Sequence, residues 1–91
     1  FGITLNNVTP EMSRQFELPA NAKGAIVTEV DPDSPAARVL QPGDVIVQVN
    51  RKPVTNATEA SAALRAVPSG RAVGLLIVRR GQEQFVTVRK G

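Results

Sequence analysis

Ninety-one residues with 42% hydrophobic side chains, a net charge of +3 and no histidine or cysteine leave room for one small domain whose core rests on Val, Leu, Ile and Ala. Without imidazole or thiol there is no base for a Ser-His-Asp triad, no ordinary zinc ligand set and no disulfide framework, and no apolar run approaches the ~20 residues that span a bilayer. Of the arginines only Arg79 and Arg80 are adjacent, and three Phe are the sole aromatics, so the basic surface interleaved with stacking aromatics that nucleic-acid binders use is missing.

The chain is therefore expected to hold no catalytic, metal or cofactor site of its own, to bind no nucleic acid and to insert into no membrane. It opens directly on a strand with no signal peptide, and residues 1–91 read as a single domain excised from a larger protein.

Phe1, Ile3 and Leu5 alternate with small or polar residues, which predicts a strand with those three on one face. Thr9-Pro10 predicts the cap and first residue of a short helix, with Met12 and Phe16 on one face and an end at Leu18-Pro19. Ala25 to Val30 is a β-branched run expected to be a buried strand, stopped by Asp31-Pro32. Ser34-Pro35 repeats the cap-plus-proline signal for a helical turn. Gln41-Pro42-Gly43-Asp44 predicts a type II turn, with Gly43 supplying the positive φ.

A strand over Val45 to Asn50 follows, and Asn50 to Pro53 is a connecting turn. Asn56 predicts the cap of a helix running to about Val67, with Glu59 completing a capping box. Pro68-Ser69-Gly70 ends it. Ala72 to Arg79 and Glu83 to Arg89 are strands joined by a turn at Arg80-Gly81. The fold class is mainly β with helices (α+β): a partly open, five- to six-stranded antiparallel barrel or sandwich capped by two helices, with at least one edge strand available.

Ser34-Pro35-Ala36-Ala37, then Leu40-Gln41-Pro42-Gly43-Asp44-Val45-Ile46, Val49-Asn50 and Pro53-Val54 form an ordered set that resembles the signature of bacterial PDZ domains. Phe1-Gly2-Ile3 is similar to the last three positions of that family's Gly-Leu-Gly-Phe loop, and Val78-Arg79-Arg80-Gly81 resembles its closing strand and turn. The circularly permuted order, groove strand first and hairpin last, resembles the HtrA/Do family of periplasmic serine proteases (DegP- and DegQ-like). Leu5 to Phe16 and Phe85 to Lys90 resemble the second, C-terminal PDZ domain of those enzymes. Two positions depart from the family pattern. Val39 stands where a Gly usually precedes the Leu, and Arg51 stands where Asn-Gly is usual, which leaves the local path and the turn type open.

The resemblance implies a carboxylate-binding loop in which the amides of Phe1, Gly2 and Ile3 hold a peptide terminus. It implies a peptide groove between the edge strand, through Ile3, Thr4, Leu5 and Asn6, and one helix face, through Ala57, Ser61 and Leu64. Phe1, Ile3, Leu5 and Leu64 would line the pocket for the last side chain. By periodicity alone the strand and helix faces read as core packing, and the resemblance shifts Ile3 and Leu64 toward the groove. Ala60, Ala63 and Val67 are expected in the core, Glu59 as a cap and Arg65 in solvent. Ala57 sits where many PDZ domains carry a His, so selection for hydroxyl residues should be weak.

The implied partners are apolar C-termini of unfolded or signalling proteins, held by β-augmentation in periplasmic quality control by a serine endopeptidase. The alternative is an assembly module contacting neighbouring protease subunits.

Overall fold

The computed structural model describes residues 2–15 and 23–89. In chain order the elements are β1 (Ile3–Asn7), α1 (Pro10–Gln15), β2 (Ala25–Val30), a 3-10 turn (Pro35–Arg38), β3 (Val45–Val49), β4 (Lys52–Pro53), α2 (Ala57–Arg65), β5 (Ala72–Arg79) and β6 (Gln82–Arg89). The strands form one antiparallel sheet in the order β1-β2-β3-β5-β6, with β4 paired on β3. Among the described residues the sheet does not close: β1 lies at one end and β6 at the other. The groove strand comes first in the chain and the β5–β6 hairpin last, as expected.

Ala25 to Val27 of β2 are apolar without alternation because both faces are covered there, whereas Thr28 and Val30 are half-buried and Glu29 exposed, so the expected buried strand holds only for its first three residues. Ala25 and Val27 belong to the main core with Ile46, Val49, Val73, Leu75 and Ile77, beneath Ala60, Leu64 and Val67. Ile26, on the opposite face, joins Val45 in a second cluster closed by Val8, Met12, Val47 and Val78. The segment that leads from β1 into α1 thus packs on one face of the sheet and α2 on the other. Each fully buried Ile or Val contributes about 1.5–3 kcal/mol, so this central pair of layers holds the fold.

Local chemistry explains most boundaries. Thr9 Oγ1 accepts the Met12 amide at 3.1 Å and starts α1; the expected end at Leu18-Pro19, like Phe16, lies outside the described residues. Ser34 precedes the 3-10 turn but does not cap it with its side chain. Its hydroxyl instead donates to the Asp31 carbonyl at 2.7 Å. Val39 leaves the turn at φ −126°, a path that needs no glycine. Gly43 has φ 99° as the type II turn requires.

The turn after β3 is tighter than the sequence suggests. Val49 pairs with Lys52 and Gln48 with Pro53, so Asn50-Arg51 is a two-residue hairpin loop with φ of 49° and 69°. That is the type I′ geometry that favours Asn-Gly, adopted here with Arg in the glycine position. The connecting segment therefore contains the short strand β4 rather than a turn alone.

Candidate functional site

β1 is the edge that matters. It pairs with β2 through Ile3 opposite Val30 to Asn7 opposite Ala25, and with no other strand among the described residues. The Gly2 carbonyl accepts the Asp31 amide at 2.7 Å. The Thr4 carbonyl accepts the Thr28 hydroxyl at 3.3 Å. Both carbonyls face β2. Because main-chain groups alternate along a strand, the N–H and C=O of Ile3 and Leu5 face the open flank. Thr28 reaches Thr4 because the register slips between Thr4 and Leu5, a bulge that leaves Thr28 unmatched on β2.

Gly2 ends this edge with φ 73°. A Cβ on Gly2 would lie 2.7 Å from the Ser34 Cβ, closer than real side chains approach. The chain passes against the Ser34-Pro35 turn there, and only glycine allows both the backbone conformation and the contact. Phe1, the first residue of the implied carboxylate loop, lies outside the described residues.

Ile3 and Leu5 are half-buried and pack against the main core, together with Ala57. Thr4 and Asn6 are exposed and alternate to the other face. There Asn6 Nδ2 donates to Thr28 Oγ1 at 3.0 Å, and exposed Glu29 stands opposite Thr4. The strand residues assigned to the groove thus divide between a helix-facing pair, Ile3 and Leu5, and an outward pair, Thr4 and Asn6.

α2 carries the helix residues assigned to the groove. Asn56 Oδ1 accepts the Glu59 amide at 2.8 Å. The Glu59 carboxylate accepts the Thr55 amide at 3.2 Å and also the Thr55 hydroxyl. The capping box forms, but it closes on Thr55 rather than on Asn56. Asn7 Oδ1 accepts the Ala57 amide at 2.8 Å, which joins the end of β1 to the start of α2. Ala57 and Ser61 are half-buried. Leu64 is only 5% exposed and sits in the main core. It shares that core with Leu75 and Ile77. Ala60 and Val67 are buried, Ala63 half-buried and Arg65 exposed.

Sequence reading did not single out Asn7 or Thr28, because each acts through a partner more than 20 residues away. An Asn at the end of an alternating strand was the one available signal. Among the described residues no group of His, Cys, Asp or Glu is arranged to hold a metal ion.

A sheet edge with no strand partner among the described residues, a capped helix joined to it through Asn7 and Ala57, and a glycine in a left-handed conformation at its start define an α+β domain with an available edge strand. The chain belongs to the PDZ domain family, whose pattern matches residues 1–78. It is 34% identical over 89 residues to the "Probable periplasmic serine endoprotease DegP-like" of Pseudomonas fluorescens, covering 97% of this chain and 18% of that protein. It is 38% identical over 91 residues to the magnetosome formation protease MamE of Magnetospirillum gryphiswaldense, covering 99% of this chain and 12% of that one. The chain thus spans less than a fifth of the length of either protein.

Among solved structures, the HtrA-type protease AlgW with a decapeptide matches at a TM-score of 0.85 and 27% identity. That match covers 97% of this chain and 27% of AlgW. The PDZ domain of HtrA3 bound to the phage-derived ligand FGRWV matches at 0.78 and 29%, covering 98% of this chain and 81% of that one.

Proposed function

We propose that residues 1–91 are a single PDZ module of an HtrA/DegP-type serine endopeptidase, and that the module captures apolar C-terminal peptides by adding them as a strand to β1. The observation that carries this reading is the flank of β1 that pairs with no strand among the described residues, where the main-chain groups of Ile3 and Leu5 face outward. Such an edge is a template for pairing, and β-augmentation takes its affinity from main-chain bonds and its specificity from alternate side chains. The peptide ligands in the AlgW and HtrA3 structures support the same reading.

In this mechanism the amides of Phe1, Gly2 and Ile3 hold the terminal carboxylate. The last peptide side chain packs on Ile3 and Leu5, above Leu64, and the third from the end meets Ala57 and Ser61. Side chains at the alternate peptide positions lie over Thr4 and Asn6. The domain performs no chemistry; the parent protein cleaves, and the module brings it unfolded or signalling proteins by their C-termini. The reading sets that work in the periplasm, in quality control of the cell envelope; the periplasmic location is supported by relatives named periplasmic serine endoproteases.

One or two buried side chains give about 1.5–3 kcal/mol each and a charge-assisted carboxylate bond a similar amount. Association costs about 4 kcal/mol or more, so binding is micromolar or weaker. A role in subunit assembly would need this edge to be covered by another part of the parent protein.

The test is a competition titration of apolar peptides with free or amidated C-termini, on the chain with and without residues ahead of Phe1. Free acids should bind at least about tenfold more tightly, and Ser61→Arg, on the half-buried helix wall, should abolish the difference. Leu64 is unsuitable as a probe because a charge in the core would unfold the domain. Equal binding of amidated peptides would sink the carboxylate mechanism.

A further inference from the structure

β1 does not stop where its outward main-chain groups stop being useful. By the alternation that turns Ile3 and Leu5 outward, Asn7 also presents its N–H and C=O to the open flank. Its side chain, however, leaves the strand. Asn7 Oδ1 accepts the Ala57 amide at 2.8 Å across a separation of 50 residues.

That amide is one of the donors a helix start leaves without an intrahelical partner. α2 already has an N-cap, since Asn56 accepts the Glu59 amide. At this exposed position water would satisfy the Ala57 amide equally well. The distinctive consequence of the Asn7 bond is geometric. β1 and α2 are the two walls of the groove, and the bond runs from wall to wall at the end opposite Gly2. A peptide strand extended past Leu5 has to enter the space that the Asn7 side chain spans, or displace it from Ala57.

We infer that Asn7 is the distal end stop of the groove, confining strand addition to the Ile3 and Leu5 positions. The inference rests on the groove reading above. Antiparallel partners pair through every second residue, so two usable positions correspond to the last ~4 residues of a peptide. The length of peptide that is read is then set by one side chain and not by the length of β1.

The experiment titrates a nested set of peptides sharing one apolar C-terminus, two to eight residues long, against the chain and its Asn7→Ala and Asn7→Asp variants. Each variant is first checked for cooperative thermal unfolding. In the unaltered chain, affinity should stop rising at about four residues, with less than about twofold gain beyond. In Asn7→Ala the plateau should move to about six residues, with a further gain of about threefold to tenfold from the newly reachable main-chain pair. Asn7→Asp keeps an acceptor for the Ala57 amide, with a charge suited to a helix start, and should restore the four-residue plateau.

A steady gain out to six residues in the unaltered chain overturns the end stop and leaves the groove intact. So does an unmoved plateau in a folded Asn7→Ala. Failure of every free-acid peptide to bind overturns the groove reading itself, and the end stop with it.

Discussion

The Asp44 carboxylate and the Arg79 guanidinium form a two-point pair, with Nε donating to Oδ1 at 2.8 Å and Nη2 to Oδ2 at 2.7 Å. Asp44 is buried, while the Arg79 side chain keeps 26% of its surface exposed. The same Oδ2 accepts the Gln41 amide at 3.0 Å, and the same Nη2 donates to the Val39 carbonyl at 2.9 Å. The pair therefore ties the segment between the 3-10 turn and β3 to the end of β5. It gives the Pro42-Gly43-Asp44 motif a structural role remote from the groove.

Asp44→Ala should destabilise the domain by about 2–4 kcal/mol, below the top of the range for breaking a buried pair because Arg79 still reaches water. Denaturant titration would measure this. Adding Arg79→Met should recover part of the loss, since the stranded cation is removed; a double variant that loses the sum of the single effects would contradict the pairing. The hydrogen bond to Asp44 raises the guanidinium above the ordinary arginine range, against the opposing effect of burial. A base raised on folding contributes stability below its unfolded pKa and loses it as pH climbs through the folded value. The guanidinium charge is thus retained through neutral pH, and its contribution falls on the alkaline side only in strong alkali.

Arg51 occupies a left-handed conformation at φ 69° in the loop between β3 and β4, where a Cβ crowds the following carbonyl. Arg51→Gly removes that crowding at the expense of a more flexible unfolded chain. A net gain of about 0.5–1 kcal/mol is expected, read as a shift of the denaturation midpoint at unchanged slope. Arg51→Val, β-branched and worse suited to positive φ, should shift the midpoint the other way. A loss of stability in Arg51→Gly would show that the Arg51 side chain contributes more than its backbone costs.

Ala57 opens α2 with its side chain half-buried, facing the proposed groove, and its amide held by Asn7. The side chain is free to change without disturbing that bond. Ala57→His should create a preference for Thr over Val at the third position from the peptide end. The preference should be about fivefold, the worth of one ordinary hydrogen bond. Paired titrations of the two peptides read it directly, and an unchanged Thr-to-Val ratio in a folded variant would remove Ala57 from the groove wall.

Features that depend on a few neighbouring residues were legible in the sequence. Thr9-Pro10 and Asn56 set helix starts because a cap needs only the next three amides. Gln41 to Asp44 set a turn because Gly43 alone carries the positive φ. The β-branched run from Ala25 to Val30 was legible as a strand, though only Ala25 to Val27 are buried. The open first strand and closing hairpin were legible through the PDZ resemblance, which encodes topology that local pattern cannot.

Tertiary structure decided everything that depends on partners brought together by the sheet. The short strand β4 exists because Val49 and Gln48 offer it a pairing edge, not because Lys52-Pro53 favours one. Leu64 is almost fully buried, at 5% exposure, while Ala57 and Ser61 on the same helix are half-buried; helical spacing marks a shared face but not its depth. The Thr28 bulge, the Asp44–Arg79 pair and the Asn7–Ala57 bond join residues 24, 35 and 50 positions apart. A polar side chain's partner is chosen by distance in space, and only the packing of the helices on the open sheet sets that distance.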